Sequence, residues 1–247
     1  MELTRLPIWL GESHPCPYLT GPEARLGWID PHTPMTPALY AALLQAGCRR
    51  SGDAVYRPYC ASCHDCIPVR ISVIDFAPNR SQRRTWSRNA DLHVSLHPAE
   101  LRDEHYELYR RYQRARHPGE AMAAASRAEV MDFLGCSWMK AWFVEFRRDT
   151  RLVAVAVMDG LDDALSAVYT FYDPAEARTG PGVYAILYLI RLARRFGLRW
   201  CYLGYWIPGC RKMNYKQWFR PLEARLGEQW TRFDHGRAIK FAPEDVL

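Results

Sequence analysis

The sequence predicts an α/β fold, an α+β mixed sheet with helices on both sides, on three observations. Residues 139–147, 151–159 and 164–172 are apolar, β-prone runs separated by short polar turns, the pattern of an antiparallel meander. Residues 182–196 follow with Tyr184, Leu187, Tyr188, Ile190 and Leu192 among their apolar positions, and "LRWCYLGYWI" (198–207) then reads as a further strand. Well before these, "YRPYCASCHDCIPVR" (56–70) spaces Cys60, Cys63 and Cys66 three apart, with His64 between two of them. The meander, helix and strand form one core with helices on both faces of a sheet. The cysteines belong to a smaller N-terminal unit. The expected division is 1–97 and 98–247.

The other elements follow from local signals. Residues 37–46, "PALYAALLQA", read as a helix with Pro37 early in its first turn and Gly47 as its stop. Residues 54–59 and 67–74 are two strands joined through the cysteine turn. Residues 80–90 look helical, and "LHVSLH" (92–97) is a short strand. A charged helix runs from about Glu100 to His117, where Pro118-Gly119 forbids continuation. "KMNYKQWF" (212–219) reads as a last short helix. This order, with the loop "RTGPGVYA" (178–185) between strand and helix, points to an acetyltransferase-like core. Such cores cradle the coenzyme A pyrophosphate on the amides of a Q/R-x-x-G-x-G/A loop. Here the spacing from Arg178 to Gly180 and Gly182 is one residue short, and Pro181 has no amide to donate. The fold is expected without its usual cofactor.

Composition narrows the class. A chain of 247 residues, 49% hydrophobic, can bury a core without staples and is not a disordered composition. No apolar run approaches the roughly 20 residues of a membrane helix. The N-terminus, "MELTRLPIWLGESHPC", has no basic stretch followed by an apolar one, so no export signal is expected. A cytoplasmic location follows, with the eight cysteines reduced. The formal charge is +6, and "NRSQRRTWSRNAD" (79–91) holds four arginines against one acid. A solvated helix face is one reading. Interleaved Ser81, Gln82, Trp86 and Asn89 suit phosphate or base, so nucleic acid is the other.

Five segments carry a resemblance: "HPCPYLTG" (14–21), "GCRRSGDAVYRPYCASCHDCIPVRI" (47–71), "RSQRRTWSRNADL" (80–92), "YTFYDP" (169–174) and "YLGYWIPGCRKMNYKQWFRPLE" (202–223). In this order and spacing the chain resembles the aminoacyl-tRNA–protein transferases, specifically the short bacterial leucyl-tRNA–protein transferases related to the eukaryotic arginyl enzymes. The resemblance implies transfer of leucine, with arginine the runner-up, from tRNA to the α-amine of proteins beginning with Asp or Glu. Such proteins are thereby marked for degradation by the N-degron route. It implies leucyl-tRNA and those proteins as partners, no membrane, no DNA, and no cofactor for the transfer itself. Two positions depart from the relatives. Leu19 stands where the eukaryotic enzymes have a second cysteine, and Gly180-Pro181-Gly182 stands where the family often has Ser-Leu-Gly.

For that reaction the aminoacyl ester is already activated, and an acceptor α-amine with a pKa of about 7.7–8.0 is partly neutral in cells. Two ends must be held together, an oxyanion stabilised, and a proton passed from amine to ribose oxygen. Tyr172 and Asp173, ending "YTFY", and Tyr205, ending "YLGY", lie where the strands of such a fold splay. A phenol can shuttle a proton and a carboxylate can orient an amine. The alternative packs Tyr172 in the core and has Asp173 cap the turn at Pro174; substrate-assisted catalysis also stays open. An acidic acceptor calls for a cation. Arg211, Lys212 and Lys216 are candidates, the two lysines spaced to share one helical face, with solvated surface as the alternative. Arg80, Arg84 and Arg88 fall on one stripe, with Arg83 at its edge, for tRNA phosphates. Tyr205, Trp206 and Trp218 are candidates to stack the terminal adenine, or are core.

The cysteine turn remains. A tetrahedral zinc needs four ligands; Cys60, Cys63 and Cys66 supply three, and Cys16 or His64 the fourth. A ferredoxin-like run wants a cysteine at 70, where Arg70 stands. The resemblance favours Cys16, since the eukaryotic relatives bring an N-terminal cysteine motif to this turn. Zinc or an iron–sulfur cluster is one reading, and inert or redox-sensitive thiols the other. Cys48, Cys136, Cys201 and Cys210 read as buried thiols. A coenzyme A-dependent N-acyltransferase and a non-catalytic RNA-binding module also stay open. The short loop counts against the first, and the unexplained second half against the other.

Overall fold

The computed structural model describes residues 6–119 and 121–239. The chain opens with β1 (Ile8–Leu10), a small hairpin of β2 (His14–Pro15) and β3 (Glu23–Ala24), and β4 (Leu26–Ile29). Helix α1 (Pro37–Gln45) follows, its first turn closed by the Thr36 side chain accepting from the Leu39 N–H. Strands β5 (Arg49–Ser51) and β6 (Ala54–Pro58) complete a four-stranded sheet ordered β1-β4-β6-β5. The cysteine turn then leads to β7 (Ile67–Ser72). Both strands are where the sequence puts them, but they lie in different sheets, so the turn is a bridge between sheets.

After β7 come α2 (Arg80–Arg88), β8 (His93–Pro98), α3 (Asp103–Arg116) and α4 (Arg127–Leu134). Asn79 and Gln82 cap α2 reciprocally. Helix α4 was not expected, although Ser126 and Glu129 form the same kind of capping box. The meander follows as β9 (Ala141–Arg148), β10 (Arg151–Gly160) and β11 (Ala164–Tyr172). Helix α5 (Pro181–Arg195) then crosses over to β12 (Trp200–Trp206), which lies parallel to β11. A β13 (Leu222–Leu226) and β14 (Gln229–Phe233) hairpin ends the chain's described part. These strands form an eight-stranded sheet, β14-β13-β7-β12-β11-β10-β9-β8. A strand from the first hundred residues, β7, thus stands beside β12 in the middle of the large sheet.

Alternation builds two cores. Val144 and Phe146 face α5 and its Tyr184, Ala185 and Leu189, whereas Phe143 packs with Leu108 and Tyr109 of α3 on the opposite face. This is the mixed sheet with helices on both faces that the sequence predicts. The parallel strands β11 and β12 pair over only Ala164↔Trp200, Leu165↔Cys201 and Ser166↔Tyr202. Beyond these three pairs no ladder joins the two strands. The segment expected as a helix at 212–219 is instead a 3-10 helix, Asn214–Trp218, packed beside β12. Lys216 and Phe219, three apart, are both buried, which a three-residue turn satisfies, and Pro221 forbids a longer helix. Among the described residues no helix is long and apolar enough to cross a membrane.

Candidate active site

Where β11 and β12 stop pairing, a side chain from the small sheet lies against both. Successive residues of a strand point to opposite faces, and β5 uses this to send two arginines in two directions. Arg50 goes to Asp159 with two bonds of 2.7 and 2.8 Å, and also donates to the carbonyls of Leu134 and Gly135 at the end of α4. Arg49 goes to β11 and β12. Its Nη1 donates to Ser166 Oγ at 3.1 Å and its Nη2 to the Ala167 carbonyl. Gly204 of β12, at φ +77°, lies against the same guanidinium, and a β-carbon there would sit 3.4–3.6 Å from Nε, Cζ and Nη2.

Lys216 enters from the 3-10 helix. Its Nζ donates to the Tyr205 carbonyl at 2.7 Å and lies 3.8 Å from Met213 Sδ. Burial, and then the nearby Arg49 guanidinium, brings this ammonium down to about 7. Lys212 precedes the 3-10 helix and is exposed, with its Nζ 3.3 Å from His117 Nδ1. The two lysines therefore do not share a helical face, because the helix that would align them starts only at Asn214. Arg211 is exposed as well.

Tyr205 is buried, and its hydroxyl donates to the Gly47 carbonyl at 3.0 Å. Burial holds that phenol well above its ordinary pKa. Tyr172 is half-buried at the end of β11, with its ring centroid 5.0 Å from that of Tyr112. Tyr215 lies within electrostatic reach of both, so three phenols gather by the end of β11. Asp173 Oδ1 accepts from the Ala175 N–H at 3.0 Å, which caps the turn at Pro174. Its Oδ2 lies 3.4 Å from Arg151 Nη1 and 3.9 Å from Arg111 Nη2.

A second face adjoins the first. Arg80, Arg83, Arg84 and Arg88 are all exposed on α2 and, with Ser87, line one shallow concavity. Beside it Arg83, Trp86, Arg191 and Arg194 border a cavity of about 390 Å³. The Trp218 carbonyl accepts from Asn79 Nδ2 and Gln82 Nε2, fixing the 3-10 helix to the start of α2. The Trp218 ring is 60% exposed, whereas Trp206 is buried with its Nε1 on Asn214 Oδ1. Of the three aromatic candidates, only Trp218 offers an exposed ring.

Cys16, Cys60, Cys63 and Cys66 are free thiols, half-buried, on the β2–β3 loop and the bridge between sheets. They are close enough to interact: burial, then Cys60, Cys16 and Cys63, push the Cys66 thiol up to about 12. No three of their sulfurs lie within 4.8 Å of one another; among the described residues only Glu104, His105 and Glu145 gather so tightly. Arg102 and Arg147 already pair with Glu145, which leaves that group no role as a cation site. By their chemistry four thiols are a donor set for zinc or an iron–sulfur cluster, which would have to draw the sulfurs closer together than they stand. Of the remaining cysteines, Cys48, Cys201 and Cys210 are buried and Cys136 is partly so.

Family models match in two blocks, "Arginine-tRNA-protein transferase, N terminus" over residues 14–84 and "Arginine-tRNA-protein transferase, C terminus" over 104–226. The chain belongs to the arginine-tRNA-protein transferase family. It is 48% identical over 230 residues to an aspartate/glutamate leucyltransferase of Pseudomonas aeruginosa, covering 93% of this chain and 98% of that one. The corresponding protein of Pseudomonas entomophila is 47% identical with the same coverage. Among solved structures, L-PGS from Bacillus licheniformis superposes with a TM-score of 0.49 at 10% identity, over 70% of this chain and 61% of that one.

Membership makes the protein an aminoacyl-tRNA-dependent transferase, and the second face fits that chemistry. The arginine face of α2 offers cations for a polyanion. Arg49 is the residue that reading the sequence missed. The signal was present in "GCRRSG": two arginines adjacent on a short strand must face opposite ways, and only one of them finds a carboxylate.

Proposed function

We propose that the protein transfers leucine from leucyl-tRNA to the α-amine of proteins that begin with Asp or Glu, marking them for degradation by the N-degron route. The observation that carries this reading is the exposed arginine concavity of α2, to which the Trp218 carbonyl ties the 3-10 helix that brings Lys216 to β12. It accords with the names of relatives sharing nearly half their residues. The α2 arginines hold tRNA phosphates, Trp218 stacks on an unpaired base at the acceptor end, and Tyr172 and Tyr215 flank the reacting groups. Pro181 at the first position of α5 removes an amide that a coenzyme A pyrophosphate would use.

The test gives the purified protein labelled leucyl-tRNA and arginyl-tRNA separately, with peptides differing only at residue one. Labelling from leucyl-tRNA is expected, with Asp and Glu starts at least about tenfold faster than Asn and Gln, since a charge-assisted bond is worth roughly 1.5–3 kcal/mol. Transfer from arginyl-tRNA alone, or from a coenzyme A thioester, would overturn it.

The reading includes Cys16, Cys60, Cys63 and Cys66 as ligands of one zinc ion or iron–sulfur cluster. Its service there is structural, tying the β2–β3 loop to the bridge between sheets. About one metal centre per chain is expected, and Cys63→Ser should lower both metal content and melting temperature. Metal-free protein that melts like the variant would remove the centre.

A further inference from the structure

We propose that the cavity between α2 and α5 is a pocket for one unpaired nucleotide of the bound tRNA, its base turned inward and its phosphate held at the rim. This rests on the reading of leucyl-tRNA as substrate, and it names a contact beyond the phosphates assigned to α2. The cavity, of about 390 Å³, takes apolar wall from Trp86 of α2 and from Leu187 and Ile190 of α5. Arg83, Arg191 and Arg194 stand around it, and no carboxylate among the described residues lines it. Arg194 is fixed in the wall, its Nη2 donating to the Val73 and Phe76 carbonyls at 2.6 and 2.8 Å. Arg83 and Arg191 are exposed. Arg83 keeps donors beyond the one given to the Pro78 carbonyl, and Arg191 lies over the Trp86 ring, 5.2 Å from its centroid. The indole itself is held by Tyr184, at 5.0 Å, and by Tyr188, whose ring lies within 7° of parallel.

These groups together select the occupant. Several cations and no acid call for an anion, and a fixed aromatic ring with an apolar wall calls for a flat apolar face. A nucleotide has both. Indole and guanidinium planes are the groups on which a base stacks whatever its identity. Ligand pockets begin at about 300 Å³, so one nucleotide fits here and a helix of a partner protein does not. Position supplies the source. Arg83 and Ser87 line this cavity and the arginine concavity alike. A strand laid along Arg80, Arg84 and Arg88 therefore passes the mouth of the cavity, and a turned-out nucleotide reaches it from there. Turning a base out is least costly where it has no partner, so the nucleotide is one the tRNA leaves unpaired.

The experiment titrates leucyl-tRNA against Trp86→Leu, Trp86→Phe and Ser87→Tyr over a range of salt, each variant checked by thermal melting. Log affinity is linear in log salt, and its value extrapolated to about 1 M is the part that counter-ion release does not supply. Trp86→Leu removes the stacking ring and leaves the concavity intact. It is expected to lower the extrapolated affinity by about tenfold, with the salt slope unchanged. Trp86→Phe keeps an aromatic face and should recover part of the loss. Ser87→Tyr, which fills the mouth from an exposed position, should match Trp86→Leu, and it decides alone if Trp86→Leu does not fold. A loss that comes only through a flatter slope would mean that the rim holds a phosphate and no base, which overturns the inference. Wild-type affinity at every salt would overturn it too. Adenosine monophosphate alone then tells what the cavity takes: if it raises the melting temperature of wild type and not of Ser87→Tyr, the occupant is a free nucleotide. Leucyl-tRNA that binds but is not turned over would overturn the functional reading and leave the binding series to decide this one. No binding of leucyl-tRNA by the wild type would overturn both.

Discussion

Arg49 and Arg50 are neighbours on one three-residue strand, equally buried and opposite in circumstance. Arg50 meets a carboxylate with two short bonds and caps the carbonyl end of α4. It fastens the small sheet to β10 of the large one. Arg49 meets a hydroxyl and a carbonyl, next to another cation, where β11 and β12 stop pairing. A buried charge that is paired belongs to the architecture. A buried charge held only by a hydroxyl and a carbonyl is retained against its own cost. The contrast separates a charge that holds this molecule together from one that opposes its folding.

The largest expected effect breaks the paired side. Asp159→Asn leaves the Arg50 guanidinium buried without its counter-ion and should cost about 3–5 kcal/mol, on the order of 10 °C in Tm for a chain of this size. Arg49→Met should change stability by no more than about 1 kcal/mol, because the lost bonds to Ser166 and Ala167 are offset by no longer burying an unneutralised charge. Urea unfolding of the two variants measures both. A loss in Arg49→Met as large as in Asp159→Asn would make the two arginines equivalent and end the distinction.

Reading the sequence reached the large features because they are written in periodicity. The meander of 139–172 and the apolar stripe of α5 are long, and both cores depend on them, so pattern and packing agree. The family segments gave the chemistry. The strands β1 to β5 were not legible, being two to four residues long and too short to show a period. Nor was the Lys212–Lys216 pairing, because a 3-10 helix and an α-helix look alike over five residues until packing chooses. Arg49 was hidden for a different reason. Its meaning lies in the carboxylate it lacks, and absence of a partner is a property of three-dimensional neighbours that no local motif encodes.

The arginines of α2 supply a third environment against which to set the other two. Arg84 is exposed and has no partner among the described residues, while Arg83 donates to the Pro78 carbonyl at 2.6 Å. Neither is desolvated, so removing either should leave stability within about 0.5 kcal/mol. What changes is the polyanion. Each phosphate contact releases condensed counter-ions, so Arg84→Ala should flatten the slope of log affinity against log salt by roughly 0.7–0.9, the range from single-stranded to duplex nucleic acid. Arg83→Ala should do less, since one of its donors is already committed to Pro78. The effect should be uniform across tRNA sequences and leave the Asp-to-Asn acceptor ratio untouched, because these side chains lie on the outer face of α2 and not against β11 and β12. Titrating leucyl-tRNA against each variant at four salt concentrations reads the slope directly. An unchanged slope in Arg84→Ala would return the stripe to solvated surface. A slope change accompanied by a fall in the acceptor ratio would mean that the α2 arginines also serve the acceptor, and that tRNA and acceptor are not held by separate groups.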